Sequence, residues 1–220
     1  MRKFYIIIQK GATLWHQLTW SHYKYLLVLD DINEINYYLN LSNDYNLSIR
    51  QLVEKIKNKE YERLDCKTKE KLIKKEENKV DDFIKNPILI KNSYNYEEIS
   101  EKILKQLILE DLDNFMKELG SGFCYIENEY KIKIGSSCNY IDLLLFNIKY
   151  NCYVVVELKV TELKKEHIGQ IEIYMNYIDK NVRNINHDKT IGIIICKKDN
   201  KFIMEYCSDN RIFETTYVLK

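Results

Sequence analysis

The first part of the chain carries apolar residues at helical spacing. They recur every three or four positions over residues 20–39, with Thr19 placed as an N-cap. Trp20 falls on the apolar face of this pattern, so we expect its side chain in the core. Ser48 and Gln51 then form a capping-box pattern, which predicts that a further helix begins there.

The apolar pattern changes its period in the second half. A stripe at helical spacing over residues 96–119 predicts a helix that Gly120 and Gly122 end. After these glycines the spacing falls to two, which is typical of strands. We predict strands at 130–134, 140–146 and 152–158, then a helix over 168–178. Two or three further strands are predicted from the candidates at 191–196, 202–207 and 212–219.

These elements divide the chain into two parts. Residues 55–85 are dense in both charge signs, which predicts a solvated helix face leading into a linker, and Pro87 marks the boundary. We therefore predict a mostly α-helical N-terminal domain over residues 1–85. Residues 88–220 are predicted to form an α/β domain in which helices flank a mixed sheet.

Composition narrows the class of protein only slightly. Hydrophobic residues make up 45% of the chain and charged residues 30%, which is ordinary for a folded domain. No apolar stretch approaches the roughly 20 residues that span a bilayer, so we expect a cytoplasmic protein with no membrane partner. The six cysteines form no C-x-x-C pair, which favours free buried thiols over a zinc site. The net charge of +1 gives no global positive field, although enzymes that cut DNA can confine positive potential to a groove.

One predicted hairpin brings charged residues together inside apolar strands. A four-residue loop at 148–151 would pair Asn147 with Cys152, and the same register places Asp142 opposite Glu157. Directly opposed residues of an antiparallel pair have Cβ atoms about 4.5–5.5 Å apart on one face. Alternation places Lys159 on that face as well.

This arrangement of charges is unfavourable for stability alone. Two carboxylates about 4 Å apart repel by about 4 kcal/mol at an effective dielectric of 20. Mg²⁺ relieves that repulsion, and it commonly takes one or two carboxylates together with waters and phosphate oxygens. Asp142 and Glu157 are then candidate metal ligands, with the carbonyl oxygen of Leu158, and Lys159 holds or polarises the attacking water. The alternative is a salt-bridged surface cluster with no catalytic role.

The same residues resemble a known nuclease signature. Ile141-Asp142 followed by Glu157-Leu158-Lys159 matches the PD-(D/E)XK pattern, with isoleucine in place of the proline. Longer strings look like the YhcG-like nuclease family in particular. The strings that resemble this family lie at 118–123, 140–144, 169–170, 174–177 and 191–197, and upstream at 18–23 and 47–52.

The resemblance implies a restriction-endonuclease-like fold and a metal-dependent phosphodiesterase. It implies Asp142 and Glu157 as metal ligands and Lys159 as the catalytic lysine. Gln170 would orient water, substrate or the lysine, although it could equally be a polar residue that caps sheet contacts. Glu110 takes the position of an auxiliary carboxylate, and its alternative is a solvent-facing helix acid.

The resemblance also implies the partners and the cofactor. We expect Mg²⁺, or Mn²⁺ in its place, and DNA as the substrate in repair, defence or mobile-element processing, while RNA and a homo-oligomer stay open. A helix over 48–59 could contact phosphates through Arg50, Lys55 and Lys57, or it could be plain surface.

Two departures from the family pattern favour a second hypothesis. Family members usually have Arg-Gln where this chain has Asn128-Glu129, and Met1 to Tyr5 resembles the end of a helix that other members precede with further residues. A shortened N-terminal domain is therefore expected. The second hypothesis is a catalytically inactive relative that binds DNA or a partner protein.

Overall fold

The computed structural model describes residues 18–74, 76, 82 and 84–220, so the expectation for Met1 to Tyr5 lies outside the described residues. The chain forms two compact units, residues 1–78 and 79–220. No described helix is both long enough and apolar enough to cross a membrane.

The N-terminal unit is helical. Its described helices are α1 (Trp20–Leu26), α2 (Ile32–Asp44), α3 (Ile49–Lys57) and α4 (Cys66–Lys74). The core of this unit is apolar, and its most buried members are Leu26, Ile35, Tyr38, Leu39 and Leu52.

Capping residues set where these helices begin. The continuous pattern predicted over residues 20–39 is divided in two because Asp31 caps α2, accepting a hydrogen bond from the Asn33 N–H. The capping box of Ser48 and Gln51 is confirmed at the start of α3. The expectation for Trp20 is wrong: its side chain is 60% exposed, because α1 buries its opposite face through Tyr23.

The second unit is built on a six-stranded mixed sheet in the order β1-β6-β5-β4-β3-β2. Its parallel pairs are β1 with β6, β6 with β5 and β5 with β4, and antiparallel pairing joins β4 to β3 and β3 to β2. The strands are β1 (Ile88–Ile90), β2 (Phe123–Ile134), β3 (Ser137–Asn147), β4 (Cys152–Glu162), β5 (Asp188–Lys198) and β6 (Ile212–Leu219).

Helices cover both faces of this sheet, which confirms the predicted α/β fold with a mixed sheet. On one face α5 (Glu101–Glu110) and α6 (Leu112–Leu119) pack on strand residues such as Leu143 and Val156. On the other face α7 (Lys165–Asn181) packs on the intervening residues, including Leu144 and Val155. Gly192 of β5 allows α7 to approach closely, because a Cβ there would lie 2.6 Å from the Met175 sulfur.

Some predicted elements differ from the structure. The helix predicted over residues 96–119 begins at Glu101 with Ser100 as its N-cap, and it is divided at Asp111, whose backbone leaves the helical region. The strand predicted at residues 202–207 is wrong: α8 (Lys201–Glu205) occupies this stretch, capped by the Asn200 side chain. Lys85, predicted within a solvated segment, is only 2% exposed.

The cysteines are free thiols, as predicted, but only some of them are buried. Cys66, Cys124 and Cys138 are exposed, because their side chains lie on the solvent-facing sides of α4, β2 and β3. Cys152 and Cys196 are buried as expected.

Candidate active site

The hairpin between β3 and β4 has the register that the sequence predicts. Asn147 pairs with Cys152, and the ladder continues to Leu143 opposite Val156. The next position holds Asp142, whose Oδ2 atom accepts a hydrogen bond from the Leu158 N–H at 3.0 Å. The Asp142 side chain therefore accepts a hydrogen bond from the backbone of β4, just beyond the last residue pair of the ladder. This bond fixes the Asp142 carboxylate against β4.

Glu157 is the most deeply buried carboxylate of this cluster. Its side chain lies on β4 and the residue is 2% exposed. The pKa of Glu157 is raised from 4.5 to about 8, first by burial and then by the nearby Asp142 carboxylate, while Lys159 opposes both effects. Within the described part of the chain, the Glu157 Oε1 atom is buried with no hydrogen-bond partner. A buried acceptor without a hydrogen-bond partner is a candidate ligand for a cation.

Lys159 lies beside this carboxylate. Its Nζ atom is 3.4 Å from the Glu157 Oε2 atom and 3.8 Å from the Glu101 Oε1 atom, and its side chain is 10% exposed. The ammonium group is therefore held between β4 and the first turn of α5. The structure brings Asp142, Glu157 and Lys159 into one cluster, as the sequence predicts.

Two charged residues that sequence reasoning missed also enter the cluster. The Lys105 Nζ atom, on α5, lies 3.1 Å from the Asp142 Oδ1 atom and 3.0 Å from the Glu129 Oε1 atom. Glu129 is directly opposite Asp142, because the β2–β3 register pairs residues 128 with 143 and 130 with 141. The departure from the family pattern at Asn128-Glu129 could have drawn attention to Glu129. The four-residue spacing of Glu101 and Lys105 could have indicated that both side chains lie on one face of α5.

Glu110 lies away from the cluster. It is nine residues from Glu101 on the same helix, which corresponds to about 13.5 Å along the axis. Its Oε1 atom accepts hydrogen bonds from the Tyr94 hydroxyl at 3.4 Å and from the Gln106 Nε2 atom at 2.9 Å. The acid of α5 that approaches Lys159 is Glu101 instead.

Gln170 and His167 lie on α7. The Gln170 Nε2 atom donates a hydrogen bond to the Tyr174 hydroxyl at 3.0 Å, an interaction within the helix. The His167 Nδ1 atom accepts from the Lys164 N–H at 3.1 Å and so caps the start of α7. Burial lowers the pKa of His167, and the positive charge of Lys159 lowers it further.

The three basic residues predicted to contact nucleic acid lie on α3, in the N-terminal unit. Arg50 and Lys57 are exposed and seven residues apart, which places them on one face of the helix. Lys55 instead pairs with Glu60, with 2.9 Å between its Nζ atom and the Glu60 Oε2 atom. Its charge is therefore largely compensated within the unit.

The residues present fit a hard divalent cation. Asp142 and Glu157 supply carboxylate oxygens, the ligand type that Mg²⁺ prefers, and their mutual repulsion favours a positive charge between them. Among the described residues, no group of three or more His, Cys, Asp and Glu side chains is arranged to hold a metal. The protein's contribution is thus a carboxylate pair, and water, backbone and phosphate oxygens would complete the coordination.

Comparisons with known proteins agree with this chemistry. The family model of the YhcG PDDEXK nuclease domain matches residues 81–220, and the model of the DUF1016 N-terminal domain matches residues 1–63. The Escherichia coli (strain K12) protein named "Putative nuclease YhcG" is 26% identical over 113 residues. That match covers 51% of this chain and 30% of the length of the relative.

Two solved structures are similar to part of the chain. A repair endonuclease from Pyrococcus abyssi has a TM-score of 0.39 and 20% identity, over 56% of this chain and 49% of its own. A complex of EndoMS with dsDNA has a TM-score of 0.41 and 19% identity, over 57% of this chain and 48% of its own.

Proposed function

The chain belongs to the YhcG PDDEXK nuclease-domain family, and from this membership we propose that it hydrolyses phosphodiester bonds in DNA with Mg²⁺ or Mn²⁺. The observation that carries the proposal is the buried Glu157 carboxylate beside Asp142 and Lys159. A carboxylate that is buried without a matching cation lowers the stability of the fold. A nuclease has a use for such a group, because it binds a cation beside the phosphate of its substrate.

The protein side chains divide the work of hydrolysis. Asp142 and Glu157 would hold the divalent cation, with the carbonyl oxygen of Leu158 as a third oxygen donor. The bound ion supplies Lewis acidity at the phosphate. Lys159 holds its ammonium group beside the cluster, where it stabilises negative charge that develops on a phosphate oxygen. A water oxygen forms the new bond to phosphorus and releases a proton to solvent, the bond to the leaving oxygen breaks, and the leaving oxygen takes a proton from solvent.

Residues at the edge of the cluster position these groups. Glu101, 3.8 Å from the lysine, restrains its ammonium group and takes the auxiliary role that the sequence predicted for Glu110. Gln170 orients water or substrate from α7. In the N-terminal unit, Arg50 and Lys57 contact DNA phosphates through the exposed face of α3.

The experiment is a cleavage assay on supercoiled plasmid, branched DNA, single-stranded DNA and RNA. Each substrate is incubated with Mg²⁺, Mn²⁺ or EDTA. We expect cation-dependent cleavage of DNA by the wild type, and a loss of at least about 100-fold in Glu157→Gln and Lys159→Met, by analogy with removal of a single charge-stabilising group. Glu162→Gln is the matched control, because it removes an exposed carboxylate from the same strand and should cleave like the wild type.

Two results contradict the proposal. Cleavage of no substrate above the level of the two variants would favour the inactive relative that binds DNA, which a binding assay on the same substrates then identifies. Preferential cleavage of RNA would retain the site and change the substrate.

A further inference from the structure

Lys105 contacts Asp142 at the Oδ1 atom, the carboxylate oxygen that the Leu158 N–H does not occupy. We propose that Lys105 serves as a built-in counter-cation, which holds Asp142 while no ion is bound and is retained by Glu129 when the ion arrives. This inference rests on the proposed cation site, and it assigns to Lys105 and Glu129 the role of positioning residues.

The contacts of Lys105 are those of a group shared between two acceptors. Its Nζ atom is almost equidistant from the two carboxylates, at 3.1 Å from Asp142 and 3.0 Å from Glu129. Lys105 and Asp142 are largely buried, with side chains 16% and 17% exposed, whereas the Glu129 side chain is 60% exposed. Lys105 can therefore leave the buried partner and keep the exposed one without losing all compensation of its charge.

The strand register explains why one ammonium group reaches both acceptors. Glu129, Asp142 and Glu157 occupy one row across β2, β3 and β4, since Glu129 faces Asp142 on one side and Glu157 follows the last β3–β4 pair on the other. Adjacent carboxylates repel one another when they are ionised, and positive charge beside them relieves that repulsion. Lys105 supplies it at the Glu129 end of the row.

Glu129 is one of five non-glycine residues in the described part of the chain that have a positive φ angle. Its φ angle is +51°, in the left-handed region that few residues other than glycine adopt. Such strain persists where the surrounding structure determines it, and it is concentrated at functional sites. In this structure it accompanies the carboxylate that pairs with Lys105.

An ion at Asp142 cannot share the Oδ1 atom with an ammonium group at hydrogen-bond distance, because the two positive charges repel. Binding therefore includes the separation of Lys105 from Asp142. Removing the lysine removes this cost and strengthens ion binding, while removing Glu129 leaves the displaced lysine uncompensated and weakens it.

The test measures Mn²⁺ affinity of the full chain without DNA, by isothermal titration calorimetry and by the loss of the free-ion electron paramagnetic resonance signal. We expect Lys105→Gln to bind on the order of tenfold more tightly than the wild type, the size of a coupling between contacting charged groups. Glu129→Gln should bind about threefold more weakly, and adding it to Lys105→Gln should have a smaller effect.

Lys102→Gln is the matched control, because it removes the same charge from an exposed position of the same helix and should leave the affinity unchanged. The inference is overturned if Lys105→Gln binds Mn²⁺ with the affinity of the wild type, or if Glu129→Gln does. Glu129 is exposed, so its substitution tests the inference even if Lys105→Gln folds poorly. Asp142→Asn separates the two proposals: if it binds as the wild type does, or if the wild type binds no ion, the cation site itself fails.

Discussion

Glu157→Gln provides a direct test of the buried carboxylate, independent of any cleavage assay. Glutamine keeps the shape of the side chain and removes its charge, so the variant differs from the wild type mainly when Glu157 is ionised. The pKa of this residue is raised from the ordinary value of 4.5 to about 8, first by burial and then by Asp142. In the absence of divalent ions the two proteins should therefore differ in how their stability depends on pH.

The direction follows from which state binds the proton. Between pH 4.5 and 8 the folded protein keeps a proton on Glu157 that the unfolded chain releases, so the free energy of unfolding falls as pH rises. At about 1.4 kcal/mol for each pH unit, this window corresponds to a total loss of at most about 5 kcal/mol. The whole loss is present above pH 8 and absent below pH 4.5.

The measurement is urea denaturation of both proteins between pH 5 and pH 9 in EDTA, followed by far-ultraviolet circular dichroism. Both tryptophans of the sequence precede residue 79, where the second unit begins, so tryptophan fluorescence does not report on that unit directly. We expect the free energy of unfolding of Glu157→Gln to exceed that of the wild type increasingly as pH rises. Adding Mg²⁺ should recover the stability of the wild type, because a bound cation favours the ionised carboxylate.

A constant difference between the two proteins across this pH range would refute the reasoning, since Glu157 would then ionise in the folded state as it does in water. Glu162→Gln provides the control. Its side chain is 43% exposed and pairs with Lys198, so the substitution should add no pH dependence in this window.

Two further expectations concern other parts of the molecule. Replacing both Arg50 and Lys57 with glutamine should weaken DNA binding and reduce the magnitude of the slope of log affinity against log salt concentration by about 2. Fluorescence anisotropy at several salt concentrations measures this slope. An unchanged slope would show that α3 does not contact the DNA. Gly192→Ala should destabilise the second unit by about 1–3 kcal/mol in denaturation, because its methyl group meets α7 side chains at 2.6 Å, and a stability equal to the wild type would show that α7 shifts without cost.

The parts of the site that the sequence predicts correctly depend on short-range geometry. A four-residue loop sets the register of the β3–β4 hairpin, and the period of two then determines which residues share a face. Asp142, Glu157 and Lys159 are all within reach of this one loop. Their association therefore needed no knowledge of how the rest of the chain packs.

The parts that sequence reasoning missed depend on packing between distant elements. The resemblance implied Glu110 as the auxiliary carboxylate, and helical periodicity identifies the buried face of α5 but not which of its acids approaches Lys159. Lys105 is 37 residues from Asp142 along the chain, and no local pattern joins them. The six residues at 202–207 were too short a stretch to distinguish a strand from a helix by period.

The two oxygens of Asp142 separate the structural role of this residue from its chemical role. Its Oδ2 atom accepts the Leu158 N–H and holds β3 to β4 at the point where backbone pairing ends. Its Oδ1 atom faces Lys105, so it is the oxygen that an exchange of cations would affect. An ion that replaces Lys105 at Oδ1 can leave the Oδ2 hydrogen bond intact, and the strands then keep their separation while the charge at the site changes. A rigid hairpin and an exchangeable cation are compatible in this fold because one carboxylate divides the two tasks between its oxygens.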